Sequence, residues 1–209
     1  MSRAATLPGH PGVAAEARIG PNCLIQTVAA LREQLGTAAA DRWLAASGHA
    51  DLVAAAPEAM VPETEFIRLT HDLYASHGAA VAAAVLERSG TRTGDYLLAN
   101  RIPALARWLL PRLPARVALR VLTRAIGAHA WTFAGSGQFR VEWGAAPVFS
   151  IAGCPGCRGR QSAFPDCAYY RGTFERLLRA LIDPGLTIVE ESCEAVGATA
   201  CRFRIDFPS

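Results

Sequence analysis

The chain reads as an α+β fold: a helical N-terminal portion followed by an antiparallel sheet packed against a helix, closed by a cysteine-rich end. Three observations carry this. Up to about residue 126, apolar residues recur at the three- and four-residue intervals of amphipathic helices. After Gly127 the period falls to two, in short aromatic and β-branched runs separated by glycines. Five of the six cysteines then lie between Cys154 and Cys201.

The elements follow in order. Asn22 to Leu35 forms a helix with Leu24, Val28 and Leu31 on one side, and Thr37 to Ser47 forms a second after Gly36. Pro62-Glu63-Thr64-Glu65 opens a third, with proline near its first position and acids in its first turn. Its apolar face is Phe66, Ile67, Leu73, Tyr74 and His77. Ala79 to Arg88 continues as another helix that Ser89-Gly90 ends, and helices around Tyr96 to Leu110 and Ala115 to Ile126 are separated by Pro111 and Pro114. Ala130 to Phe133, Gln138 to Trp143 and Pro147 to Ala152 read as strands of a meander.

Pro165-Asp166 starts the best-specified helix, Asp166 to Ile182, whose Phe174, Leu177, Leu178, Leu181 and Ile182 share one face. Two strands finish the chain, Leu186 to Glu191 and Thr199 to Phe207. Cys201, Phe203, Ile205 and Phe207 alternate on one side of the last, as Leu186, Ile188 and Glu190 do on the one before.

Length and composition bound the answer. The 209 residues suit one domain, and residues 19–209 are expected to form it after a flexible N-terminus, 1–18, that holds Pro8, Gly9, Pro11 and Gly12. No secretory signal and no span long enough for a bilayer is read, so a cytoplasmic, not membrane-spanning protein is the expectation. A net charge of +3 does not argue for nucleic acid. All 21 basic residues are arginine, which excludes a Schiff-base or phosphate-loop lysine.

Clustered cysteines in a reducing compartment point to metal or redox chemistry before disulfides. Cys167 sits in the first turn of the well-specified helix, where free N–H groups favour a thiolate. Glu190 and Cys201 lie on strand faces that this helix would cover, and Cys193 sits in the loop between those strands. A carboxylate on an apolar face is costly unless paired or bound to a cation. Cys167, Glu190, Cys193 and Cys201 therefore make a four-coordinate set for structural zinc. A rival set takes Cys154-Pro155-Gly156-Cys157, a CxxC knuckle, with two of the later cysteines. A third possibility is that the cysteines are ordinary buried side chains. The knuckle reads most simply as a turn bearing two thiols near a pocket mouth.

The spacing Cys167, twenty-two residues, Glu190-x-x-Cys193, seven residues, Cys201-x-Phe203 resembles the 4-vinyl-reductase domain over Val148 to Phe207. That domain occurs in bacteriochlorophyll biosynthesis and in phenol-sensing transcriptional activators, where the pattern is a zinc site. Cys154-Pro-Gly-Cys157-Arg-Gly, Cys167-Ala-Tyr-Tyr170, Thr173-Phe-Glu-Arg176 and Ile19-Gly-Pro-Asn22 extend the resemblance to the bacteriochlorophyll 4-vinyl reductase family. It implies reduction of the 4-vinyl group (8-vinyl in newer numbering) of a divinyl tetrapyrrole, a ligand-binding core at 128–209, a homodimer, and other pigment-biosynthesis enzymes as partners.

Hydride delivery needs a donor, and no nucleotide-cofactor motif is evident. Gly135-Ser-Gly137 leads to Arg140 where a third glycine belongs. An iron–sulfur cluster would have to draw on the same cysteines as zinc. A protein that binds and delivers the tetrapyrrole is the more economical expectation, with a reductase or a small-ligand sensor as alternatives. Trp131, Phe133, Phe139, Trp143 and Phe149 could line its pocket, His71 or His77 could ligate magnesium, and the stripe Arg116, Arg120, Arg124 could meet carboxylates.

Overall fold

A computed structural model describes residues 16–208. The elements are β1 (Arg18–Ile19), α1 (Asn22–Leu35), α2 (Thr37–Ala46), α3 (Ala50–Ala54), β2 (Val61–Pro62), α4 (Glu63–Asn100), α5 (Ala104–Leu109), α6 (Ala115–Ala128), α7 (Trp131–Ala134), β3 (Gln138–Glu142), β4 (Val148–Ala152), α8 (Ala168–Leu181), β5 (Thr187–Ser192) and β6 (Cys201–Asp206). The architecture is α+β, as the change of period predicts. Residues 1–15 of the segment expected to be flexible lie outside the described residues. Its last residue does not hang free: Arg18 pairs with Pro62 across the short β1–β2 ladder.

The main sheet is antiparallel in the order β3-β4-β6-β5, so the last strand inserts between β4 and β5. Phe149 pairs with Phe203 and Ile151 with Cys201 across β4 and β6, and Glu190 stands opposite Phe203 across β5 and β6. α8 lies on this sheet through the predicted face. Phe174 meets Phe149 and Phe203 edge-on, with ring centroids 5.1 and 5.6 Å apart. The opposite side of α8, with Gly172 and Thr173, is buried against α4. One helix is thus covered on both sides.

Two expectations need correction. Ala130 to Phe133 is not a strand, because Trp131–Ala134 makes a helical turn that ends at Gly135, φ 58°. Helix formation also does not stop at Ser89-Gly90. α4 runs on to Asn100, and its one break is at Gly78, φ 74° and ψ 169°. That conformation is open almost only to glycine. Gly90 serves packing instead. A Cβ there would sit 2.1 Å from the Tyr169 carbonyl oxygen, so its absence lets α8 cross α4 closely.

Candidate functional site: a buried cysteine cluster

Three segments converge at one end of α8: the loop after β4, the N-terminus of α8, and the β5–β6 connection. Cys167 is the residue from which α8 starts. Its sulfur lies 3.6 Å from that of Cys193 and 3.3 Å from that of Cys201, and Cys193 and Cys201 are 3.6 Å apart. Glu190 Oε2 accepts a hydrogen bond from the Cys167 backbone N–H at 2.7 Å. Its other oxygen, Oε1, is buried with no hydrogen-bond partner. The expected set Cys167, Glu190, Cys193 and Cys201 is brought together, with one donor atom of each inside 4.8 Å of the others.

The knuckle is brought to the same place. Cys154 and Cys157 are buried, not at a pocket mouth. The Cys154 sulfur is 3.6 Å from Cys167 and that of Cys157 is 3.3 Å from Cys201. A second compact set, Cys154, Cys157, Cys167 and Cys201, therefore overlaps the first. The sixth cysteine, Cys23, stands apart in α1, where its thiol contacts the Gly20 carbonyl at 3.2 Å.

The loop that carries the knuckle is held from several sides. The Cys154 and Gly153 N–H groups donate to the two Glu194 carboxylate oxygens at 2.8 and 2.6 Å. His71 Nε2 lies 2.7 Å from the Arg158 carbonyl oxygen. Arg158 is paired to the buried Glu63, which also accepts from the Ser136 hydroxyl at 2.7 Å and the Ser136 N–H at 2.9 Å. Arg160 pairs with Asp166 at 3.0 Å, and its guanidinium stacks 3.6 Å over the Tyr74 ring. Glu194 is a site residue that the sequence pattern does not single out. Its place next to Cys193 is a signal, but its partners are backbone groups forty residues away.

The chemistry of these donors suits a thiophilic cation. Tetrahedral zinc with Zn–S of about 2.3 Å sets sulfurs about 3.8 Å apart, slightly wider than the 3.3–3.6 Å contacts here. Burial pushes the Cys167 thiol well above its usual value. Burial, and then the neighbouring Cys193 sulfur, push the Glu190 carboxyl up to about 9. An adjacent cation reverses both effects by stabilising the anionic form. An iron–sulfur cube needs thiolates splayed around its own sulfides, and sulfurs in mutual contact leave no such room.

The expected pocket residues divide. Phe133, Phe139 and Phe149 pack around Phe174 as core. Trp131 and Trp143 are exposed. His71 is used by the Arg158 carbonyl, and the His77 ring packs 5.1 Å from Trp43. In the arginine stripe, Arg116 donates to the Ala145 carbonyl at 2.9 Å and pins the β3–β4 turn. Arg120 and Arg124 instead line a cleft of about 460 Å³ with Thr123, Val141 and Trp143. Val117 and Val121 are not on a buried opposite side; they are exposed, and Ala118, Leu119 and Leu122 face the core.

Fold and cluster together define a protein of the vinyl-4-reductase (V-4-R) domain class, and that domain family matches residues 147–207, from β4 to the end of β6. Similarity extends well beyond that stretch. The bacteriochlorophyll synthase 23 kDa chain of Cereibacter sphaeroides is 44% identical over 95% of this chain and 94% of its own length. Its namesake from Rhodobacter capsulatus is 39% identical over 97% of this chain and 92% of its own. The chain belongs to the bacteriochlorophyll synthase 23 kDa chain family, and the resemblance carried by the cysteine pattern holds.

At the level of fold, H-NOX proteins are similar. The Fe(II) unliganded protein from K. algicida superposes with a TM-score of 0.55 at 10% identity, over 90% of this chain and 96% of that one. An Fe(II)NO form from S. oneidensis gives 0.50 at 12% identity, over 90% and 99%. No helix among the described residues is long and apolar enough to cross a membrane.

Proposed function

We propose that this protein serves bacteriochlorophyll biosynthesis by binding a divinyl magnesium tetrapyrrole and delivering it for reduction of its vinyl group, without itself transferring hydride. The family name of its relatives supports the pathway. The observation that carries the binding step is the cleft between α6 and β3, where Arg120, Arg124 and the half-exposed Trp143 converge. Two guanidiniums suit the carboxylates of the pigment, and the indole face suits its macrocycle. The cleft is open and of modest volume, so it takes one edge of the ring, as a donor that must release its cargo requires.

The cysteine cluster has a separate role. Cys167, Glu190, Cys193 and Cys201 hold structural zinc in this reading, and their sulfurs are too buried to meet a pigment. Zinc supplies cross-linking of α8 to the β5–β6 connection and no redox chemistry.

The test is a titration of the purified chain with a divinyl magnesium tetrapyrrole, followed by pigment fluorescence. Micromolar binding is expected, with Arg120→Ala/Arg124→Ala weakening it about tenfold or more, since a charged pair contributes about 1.5–3 kcal/mol. Absence of binding at micromolar concentration overturns the proposal. Conversion to the monovinyl pigment with a nicotinamide donor alone replaces delivery by catalysis.

A further inference from the structure

We infer that the cluster is built for two thiolate-bridged divalent cations. The inference rests on the zinc reading above and extends it to Cys154 and Cys157. The two four-donor sets share Cys167 and Cys201. Those two sulfurs are 3.3 Å apart and sit in the middle of the cluster. Cys167 is touched by Cys193 on one side and Cys154 on the other, at 3.6 Å each. Cys201 is likewise touched by Cys193 at 3.6 Å and by Cys157 at 3.3 Å. A thiolate sulfur has lone pairs enough to bind two metals, so these central positions are bridging positions.

A single cation leaves donors stranded. In the carboxylate set, Cys154 and Cys157 remain as buried thiols against the ligand sulfurs. In the all-cysteine set, Glu190 keeps its buried, unpartnered oxygen. A buried carboxylate without partners is costly. Two cations use all six donors: Cys154 and Cys157 complete one, Glu190 and Cys193 complete the other, and Cys167 and Cys201 serve both. Five thiolates and one carboxylate carry six negative charges, which two divalent cations offset better than one. The preferred occupant is zinc, whose thiolate affinity and tetrahedral habit match the donors.

Counting zinc per polypeptide in the intact chain, loaded and then dialysed against metal-free buffer, decides the matter. Two per chain is expected. One per chain overturns the bridged pair and leaves the single structural site, while none overturns both. Cadmium-113 substitution adds a spectroscopic reading: two resonances coupled through the shared sulfurs are expected, and a single resonance contradicts the bridge. The double variant Cys154→Ser/Cys157→Ser is expected to retain one ion and one resonance; retention of two removes the knuckle from the site.

A different observation supports a second proposal: the α5–α6 surface docks on an anionic lipid bilayer. From Tyr96 to Val141 the chain has seven arginines and no acidic residue. On the same stretch Leu105, Trp108 and Leu109 are 70%, 56% and 43% exposed, and Val117 and Val121 are 45% and 50% exposed. Leu105, Trp108 and Leu109 share one side of α5, and Arg112 stacks 4.3 Å from the Trp108 ring. Exposed leucine and tryptophan bracketed by arginines suit the boundary between headgroups and acyl chains. A second copy is a poorer occupant, because an isologous contact sets this acid-free surface against itself.

Co-sedimentation of the full chain with phosphatidylcholine vesicles, with and without about a third phosphatidylglycerol, tests this. Binding is expected only with the anionic lipid, and Leu105→Glu/Trp108→Glu is expected to weaken it about tenfold or more. Equal binding to both vesicles, no binding, or a change in oligomeric mass in the double variant overturns it.

Discussion

Glu63 joins the two halves of the protein through one side chain. It opens α4, yet its carboxylate reaches Ser136 before β3 and Arg158 in the knuckle loop. Burial opposes its charge, but the Ser136 bonds and the Arg158 guanidinium hold the carboxyl below its ordinary value of 4.5. Because the folded value is depressed, its contribution to stability is complete above 4.5 and is lost as pH falls through the folded value. Glu63→Gln is expected to lower stability at pH 7 by about 2 kcal/mol, since hydrogen bonds to a buried charge are removed. Thermal unfolding followed down to acid pH checks it: the variant's loss relative to the natural chain should shrink there. A constant difference at every pH would assign Glu63 a packing role instead.

Glu190 illustrates how much of the site the sequence can carry at this scale. An acidic residue alternating with Leu186 and Ile188 cannot share their buried face without a partner, and spacing alone therefore leads from it to the cluster. Cys154 and Cys157 were only half legible. Their CxxC spacing identifies a metal knuckle, but nothing local says that the loop folds inward. Its inward fold depends on Glu194, Glu63 and His71, which are distant in sequence.

At the scale of elements, α8 is the part everything else is fitted to. Its aromatic face toward the sheet was legible because Phe174, Leu177, Leu178 and Leu181 keep helical spacing. Its second buried face was not, because Gly172 and Thr173 carry no apolar signal and meet α4 by close backbone approach. The same blindness makes Ser89-Gly90 read as a stop. Gly90→Ala is expected to destabilise by about 1–3 kcal/mol through overpacking against Tyr169, although alanine is the better helix former. Gly127→Ala in α6 meets nothing within 4 Å and is the control; there the same change should stabilise by up to about 1 kcal/mol. Urea denaturation of both variants separates crowding from propensity. Two losses of similar size would show that close crossing is not what Gly90 provides.

For the whole molecule, the helical half, the sheet and the covering helix followed from hydrophobic period, and the change at Gly127 located their boundary. The strand order did not follow, since inserting β6 between β4 and β5 is a long-range choice. Metal would join these parts at one end of α8, where the knuckle loop, the helix start and the β5–β6 connection meet. Removing it with a strong chelator is expected to lower the melting temperature by about 10 °C or more, given the large folding contribution of structural zinc. Differential scanning calorimetry before and after chelation, with zinc restored at the end, checks the size and the reversibility. An unchanged transition would make the cluster ordinary core.

Zinc-edge X-ray absorption of the freshly purified chain reads the centre itself. The predicted spectrum has a first shell dominated by sulfur at about 2.3 Å, with a minor oxygen contribution from the carboxylate. A shell of oxygen and nitrogen alone, or no zinc edge, would contradict a thiolate metal centre built by these cysteines.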